Sequence, residues 1–351
     1  MRPRPSPSSW LRRTRRVGSP QRSLSATASS AITALDHSEL PSEGCNIRAS
    51  AIWGISLSFD PGILRWAEQK SFVAEKSRIL YVATPKVACT TIRTGLIVLE
   101  GASRSKKIDP HNVGSHTIPS LANISVAESE FVLGSPEWIR FCVTRRPYER
   151  LVSAWLNKIF LGDAVNLTLP YAAELRRTRD VGSLFREFVK GLESGSALYF
   201  RDEHFAPQVV LLKSEDFPYT HVLDLPELAS FASWARSSDP SRKELDLSVR
   251  TNASLRVPLR AMYDRSTAEI VESLYEDDFT QFGYEREDFG ERSDEFLLTE
   301  NELSLVELLV ASAGELHAAA ALASMASRRV GGRYALSELL RALGKRTRLS
   351  R

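Results

Sequence analysis

The chain has 351 residues, 43% of them hydrophobic and 25% charged, with a formal net charge of +3, which is long enough for one main domain with a large core. Three cysteines, an odd number without zinc-ligand spacing, argue against a disulfide framework and a zinc module. Seven arginines fall within residues 1–35, so the rest of the chain carries 39 basic against 43 acidic residues and is no general binder of polyanions such as nucleic acid.

Residues 1–35 contain many serines and no acidic residue, too polar a composition to bury a core, and are expected to be disordered. They read as part of a basic tail over 1–46, which has the character of an organelle transit peptide or marks a start downstream of Met1. A main domain is expected over 47–290 and a helical extension over 291–351.

Within the domain, Arg78 to Ala83 is apolar and β-rich and predicts a central strand, which Pro85 stops. A turn and a helix follow, with Thr90 and Thr91 as caps and Ile92, Leu96, Ile97 and Leu99 as its apolar face. The helix then begins at the loop Pro85-Lys86-Val87-Ala88-Cys89-Thr90-Thr91. Its leading N–H groups and positive dipole end face whatever anion the loop holds, with Lys86 adding a full charge, so the site suits phosphate or sulfate.

The design repeats. Trp138 to Val143 is a second apolar strand, and Pro147 opens a helix whose stripe is Leu151, Val152, Trp155, Leu156 and Ile159, with Arg150, Ser153 and Asn157 on another face. Arg145, just before this helix, and Ser153, two turns into it, can reach one phosphate from adjacent directions. Further on, Thr299 and Glu302 form a capping-box pattern ahead of an Ala/Leu helix to about Ser327 and a shorter one from Tyr334 to Leu343. These helices are expected to pack on the domain, with cover for an acceptor cleft or a homodimer contact as the alternatives.

No window reaches the roughly 18 to 20 apolar residues of a membrane span. Even the stretch from Leu303 to Ala323 holds Glu307 and Glu315, so a soluble, cytoplasmic protein is expected, with organelle targeting through the N-terminus as the alternative. Sequons at Asn123, Asn166 and Asn252 matter only in a secretory compartment. Cys89 and Cys142 read as packing residues.

Together the two strand-helix junctions resemble a family, the sulfotransferases that use 3′-phosphoadenosine 5′-phosphosulfate (PAPS), in the branch of the chondroitin, dermatan and heparan enzymes and their bacterial relatives. The loop from Pro85 to Thr91 resembles the family's 5′-phosphosulfate loop, and the run from Val143 to Ala154 resembles its 3′-phosphate motif. In the latter the usual spacing is one residue shorter: Thr144 intervenes, so Arg145 matches only by counting back from Pro147, and Arg146 replaces the common acidic or amide residue. Weaker echoes lie in His204-Phe-Ala-Pro-Gln208 and in the run from Leu274 to Tyr284, so the likeness spans about residues 79 to 287.

The resemblance implies a P-loop-like, three-layer α/β fold with a central parallel sheet. It implies PAPS as co-substrate, a carbohydrate or other hydroxylated acceptor and no metal. Lys86 would stabilise charge on the bridging oxygen, the loop through Thr91 would supply donors, and Arg145 and Ser153 would hold the 3′-phosphate. Several relatives use a histidine between the two motifs as base, which points to His116, then His111, while His204 is assigned to the acceptor pocket with Asp202 and Glu203 beside it. A kinase or nucleoside triphosphatase is the alternative enzyme. Against it stand the missing Gly-x-x-x-x-Gly-Lys-Ser/Thr run and a lysine that precedes the threonines. A non-catalytic nucleotide-binding module is the third reading.

Overall fold

The computed structural model describes residues 70–308 apart from 105–108, 112–114, 162–174, 176, 249–256 and 292. The expected basic tail and the helices expected beyond residue 308 lie outside the described residues.

Four short strands form one sheet in the order β1 (Ser71–Ala74), β2 (Ile79–Val82), β3 (Ile139–Thr144) and β4 (His221–Asp224). Strands β2, β3 and β4 are mutually parallel, and the links between them are long. β1 departs from the expectation of a parallel sheet, because it pairs antiparallel with β2, Phe72 opposite Tyr81. The reason is the connection. Residues 75–78 form a tight turn with Arg78 at φ 52°, and a link that short can only fold back as a hairpin, since a parallel return needs a dozen or more residues.

The central strands are buried on both faces, and their side chains divide with period two. Ile79, Tyr81, Phe141, Val143 and Leu223 face a core built with the helices α1 (Cys89–Leu99) and α6 (Leu228–Ser238); α2 spans Val126–Gly134. Leu80, Val82 and Cys142 face the opposite way, against Leu133 of α2 and Leu212 of α5 (Gln208–Leu212). Helices thus cover both faces.

A third core is helical. It joins α3 (Pro147–Trp155) and the π turn that extends it (Leu156–Phe160) to α4 (Val181–Tyr199), α7 (Leu259–Met262), α8 (Arg265–Leu274) and α9 (Glu276–Phe282). Trp155 is its hub, with Phe160 and Phe185 rings 5.1 and 5.3 Å away. Leu298, Leu303 and Val306 join this core. The expected capping box is formed: Glu302 N–H donates to Thr299 Oγ1 at 3.3 Å and Thr299 N–H to Glu302 Oε2 at 2.9 Å. Among the described residues, no helix is long and apolar enough to cross a membrane.

Candidate functional site

The chain leaves β2 into residues 83–88 at the end of the parallel strands, and two non-glycine residues there take the left-handed conformation, Lys86 at φ 69° and Ala88 at φ 61°. Each such residue costs about 1–2 kcal/mol, and that strain persists only where the surroundings dictate the backbone. Val87, fully buried in the sheet core, pins the loop between them. Ala88 then caps α1 without any side-chain hydrogen bond. The expected threonine caps are therefore displaced: the backbone reversal at Ala88 starts the helix at Cys89, and Thr90 and Thr91 sit inside the first turn. Leading N–H groups of a helix lie outside its i→i−4 ladder, and here they face the loop that carries Lys86. The Lys86 ammonium donates to Asn157 Oδ1 at 2.7 Å, so the π turn after α3 holds the lysine from the other side.

At the next strand end, Thr144 is absorbed into β3. Its hydroxyl meets Leu223 O at 3.1 Å and Tyr284 Oη at 2.8 Å, and Tyr284 donates to Asp224 Oδ1 at 2.9 Å. The extra residue thus extends the strand. Arg145 and Arg146 then part. The Arg145 guanidinium turns to the loop, 3.4 Å from Lys86 O, and pairs with Glu149 at 3.2 Å, whereas Arg146 pairs with Glu287 at 2.9 Å. Pro147 occupies the first turn of α3, as expected, and Ser153 is half-buried on that helix.

Three of the histidines singled out lie in different settings. His116 is buried at 4% exposure, its ring 5.2 Å from Phe72, and burial followed by the charges of Arg93 and Arg104 lowers its pKa. His111 stands at the loop, with Nε2 3.0 Å from Thr90 Oγ1 and Nδ1 3.2 Å from an Arg93 nitrogen. Burial and Arg93 lower its pKa too. His204 is half-buried, and its Nδ1 lies 2.6 Å from Asp202 Oδ1. The structure therefore brings His111 to the phosphate-type loop and sets His116 into the packing behind it.

The wider sequence agrees with this arrangement, since residues 69–285 match the profile described as Sulfotransferase family. The chain belongs to that family. The matched segment runs from β1 to beyond Tyr284 and contains every candidate residue named above. Carbohydrate sulfotransferase 10 of Xenopus laevis is 36% identical over 100 residues, 27% of this chain and 28% of the relative. The Homo sapiens protein of the same name is 36% identical over 107 residues, 29% of each chain. For the Mus musculus protein the values are 27% over 259 residues, covering 65% of this chain and 70% of that one. The stronger identities thus span under a third of those relatives' length. No solved structure matches.

In this member of the family, the residues that sequence reasoning missed act beneath the site. Arg150, read as part of a polar helix face, is fully buried, and its guanidinium donates to Pro85 O at 3.3 Å, Ala206 O at 2.8 Å and Glu203 O at 2.9 Å. Three carbonyls from two loops are satisfied by one cation. The Gln208 side chain clasps the Arg145 peptide, accepting from its N–H at 2.9 Å and donating to its C=O at 2.8 Å. Asp278, wholly buried, accepts from Gln208 N and Val209 N at 2.9 and 2.8 Å and so caps α5 from α9. Burial raises its pKa, opposed by those hydrogen bonds and by Arg150. The signal was present in the two weaker echoes, which hold Gln208 and Asp278 far apart in sequence.

Proposed function

We propose that this chain moves a sulfuryl group from PAPS to a hydroxyl of a carbohydrate acceptor. The observation that carries the reading is the meeting of two anion-binding elements, the Lys86 loop at the N-terminus of α1 and the Arg145 guanidinium 3.4 Å from Lys86 O. A nucleotide with phosphates at both its 3′ and 5′ positions needs two such elements side by side. The loop fits the group, because its left-handed residues and helix start turn N–H donors toward an anion without any metal ligand being required. PAPS supplies the activated sulfuryl group, whose transfer asks little covalent chemistry of the protein.

Lys86 binds the phosphosulfate and neutralises charge on the bridging oxygen, and the Ala88 to Thr91 turn orients it. Arg145 exchanges its bond to Glu149 for the 3′-phosphate, with Ser153 one helix face away. The carbohydrate acceptor follows the relatives' names, and the acidic balance of the chain outside residues 1–35 favours a small or neutral glycan over a highly sulfated polymer. A triphosphate reading lacks its lysine at the end of the loop. The test is transfer of radiolabelled sulfate from PAPS to a glycan panel: Lys86→Ala should lose about 100-fold or more in turnover while its unfolding midpoint stays near wild type. Unchanged turnover would contradict the assignment.

A further inference from the structure

We propose that the acceptor hydroxyl is deprotonated by Nε2 of His204, with Asp202 as the positioning residue that fixes this tautomer. The inference rests on the sulfotransferase reading above and deepens it.

A base needs a free lone pair on an imidazole nitrogen that the acceptor can reach: counting protons separates His111 from His204, and burial sets aside His116, whose ring nitrogens have no hydrogen-bond partner among the described residues. Arg93 can only donate, so Nδ1 of neutral His111 accepts from it and the ring proton sits on Nε2, directed at Thr90 Oγ1. Both nitrogens are committed. His116 lies in the packing at 4% exposure. For His204 the partner is reversed. Asp202 Oδ1 accepts from His204 N at 2.9 Å and from Nδ1 at 2.6 Å, and a carboxylate can only accept, so the proton is on Nδ1 and the lone pair is on Nε2.

Position completes the argument. The Arg150 guanidinium binds the carbonyl of Pro85, which precedes Lys86, and the carbonyl of Glu203, which precedes His204. One planar group thus ties the backbone of the Lys86 loop to the backbone that leads into His204. Glu203 also holds Lys70 at 3.2 Å. The charged groups facing His204 are Asp202, Lys158 and Glu203: burial lowers its pKa, the Asp202 bond opposes that, and Lys158 adds to it. Asp202 stays ionised, because its hydrogen bonds from His204 outweigh its burial. The ring is therefore neutral at pH 7 and ready to accept.

In the step itself, the acceptor O–H proton passes to His204 Nε2 while the acceptor oxygen's electron pair forms the new S–O bond. The S–O bond to the bridging phosphate oxygen breaks, its pair leaving on that oxygen beside Lys86. The products are the sulfate ester, adenosine 3′,5′-bisphosphate and an imidazolium countered by Asp202. A purely structural Asp202, closing the turn through His204 N, predicts none of this.

The test uses the full chain with PAPS, water and a panel of methyl glycosides, reading release of adenosine 3′,5′-bisphosphate against pH. His204→Gln should lower kcat by about 100-fold or more with affinity for the bisphosphate within about twofold, and the acid limb of the rate profile should vanish. Asp202→Asn should move that limb to lower pH, because the imidazolium loses its counter-charge, whereas His111→Gln should leave the limb in place. Nitrogen NMR of the nucleotide-free protein should show His204 protonated on Nδ1. An Nε2-protonated ring, or a His204→Gln variant that keeps the limb, would overturn the proposal. Failure of the wild-type chain to bind the bisphosphate would instead overturn the donor-site reading, and the ring tautomer would still judge the dyad.

Discussion

Arg145 and Arg146 are neighbours in sequence with separate fates, and the difference gives a sharp prediction. Arg145→Ala should weaken binding of adenosine 3′,5′-bisphosphate by about 10- to 100-fold, the worth of a lost charge-assisted bond of roughly 1.5–3 kcal/mol. Arg146→Ala, which removes the pair with Glu287, a 3.4 Å bond to Glu285 O and a contact 5.6 Å over the Tyr148 ring, should leave that affinity within about twofold, because none of these partners belongs to the Lys86 loop. Equal effects in titration calorimetry would refute the register counted back from Pro147. The start of α3 at Pro147 was legible in the sequence, since proline suits the first helical turn. The capping of α1 was not. Threonines beside a helix start look like caps, but the left-handed turn at Ala88 depends on Val87 being buried, a tertiary effect that local propensity cannot contain.

At the scale of elements, α3 does more than carry a phosphate ligand. Arg150 sits where a helical stripe reads as polar and exposed, yet it satisfies carbonyls on both loops of the site. Arg150→Met should lower stability by about 3–5 kcal/mol, because the buried carbonyls lose their donor, and it should weaken nucleotide binding as well. A urea midpoint unchanged from wild type would contradict this. The strand pair β2 and β3 was legible from composition, whereas β1 and β4 were not. Four residues such as His221–Asp224 are too short for a period to show, and β1 is defined by its hairpin partner. β4 also carries a pH dependence. His221 packs 4.8 Å from the Trp234 ring, and burial, aided by Arg140, lowers its pKa to about 4. The unfolded imidazole titrates near about 6.5, so it takes up its proton first as pH falls. The stability that His221 contributes is thus full above pH 6.5 and is lost on the way to 4, by up to roughly 3 kcal/mol. Denaturant midpoints should fall between pH 7 and 5 in wild type and fall less in His221→Gln; parallel slopes would contradict the assignment.

On the scale of the whole molecule, two sheet-facing cores and one helical core meet around the carboxyl ends of β2 and β3, where the loop and Arg145 emerge. The clasp from Asp278 through Gln208 to the Arg145 peptide joins the helical core to that site across 133 residues of sequence. Such a long-range link leaves no periodic trace, which is why the motifs were readable and their support was not. The proposed site calls for a ligand with two separate phosphate positions, bound without metal. The most direct measurement is therefore titration calorimetry of the full chain with adenosine 3′,5′-bisphosphate and with ATP in magnesium. Tight, metal-independent binding that prefers the 3′-phosphorylated nucleotide is the predicted result, and a preference for ATP with magnesium, or binding of neither, would contradict it.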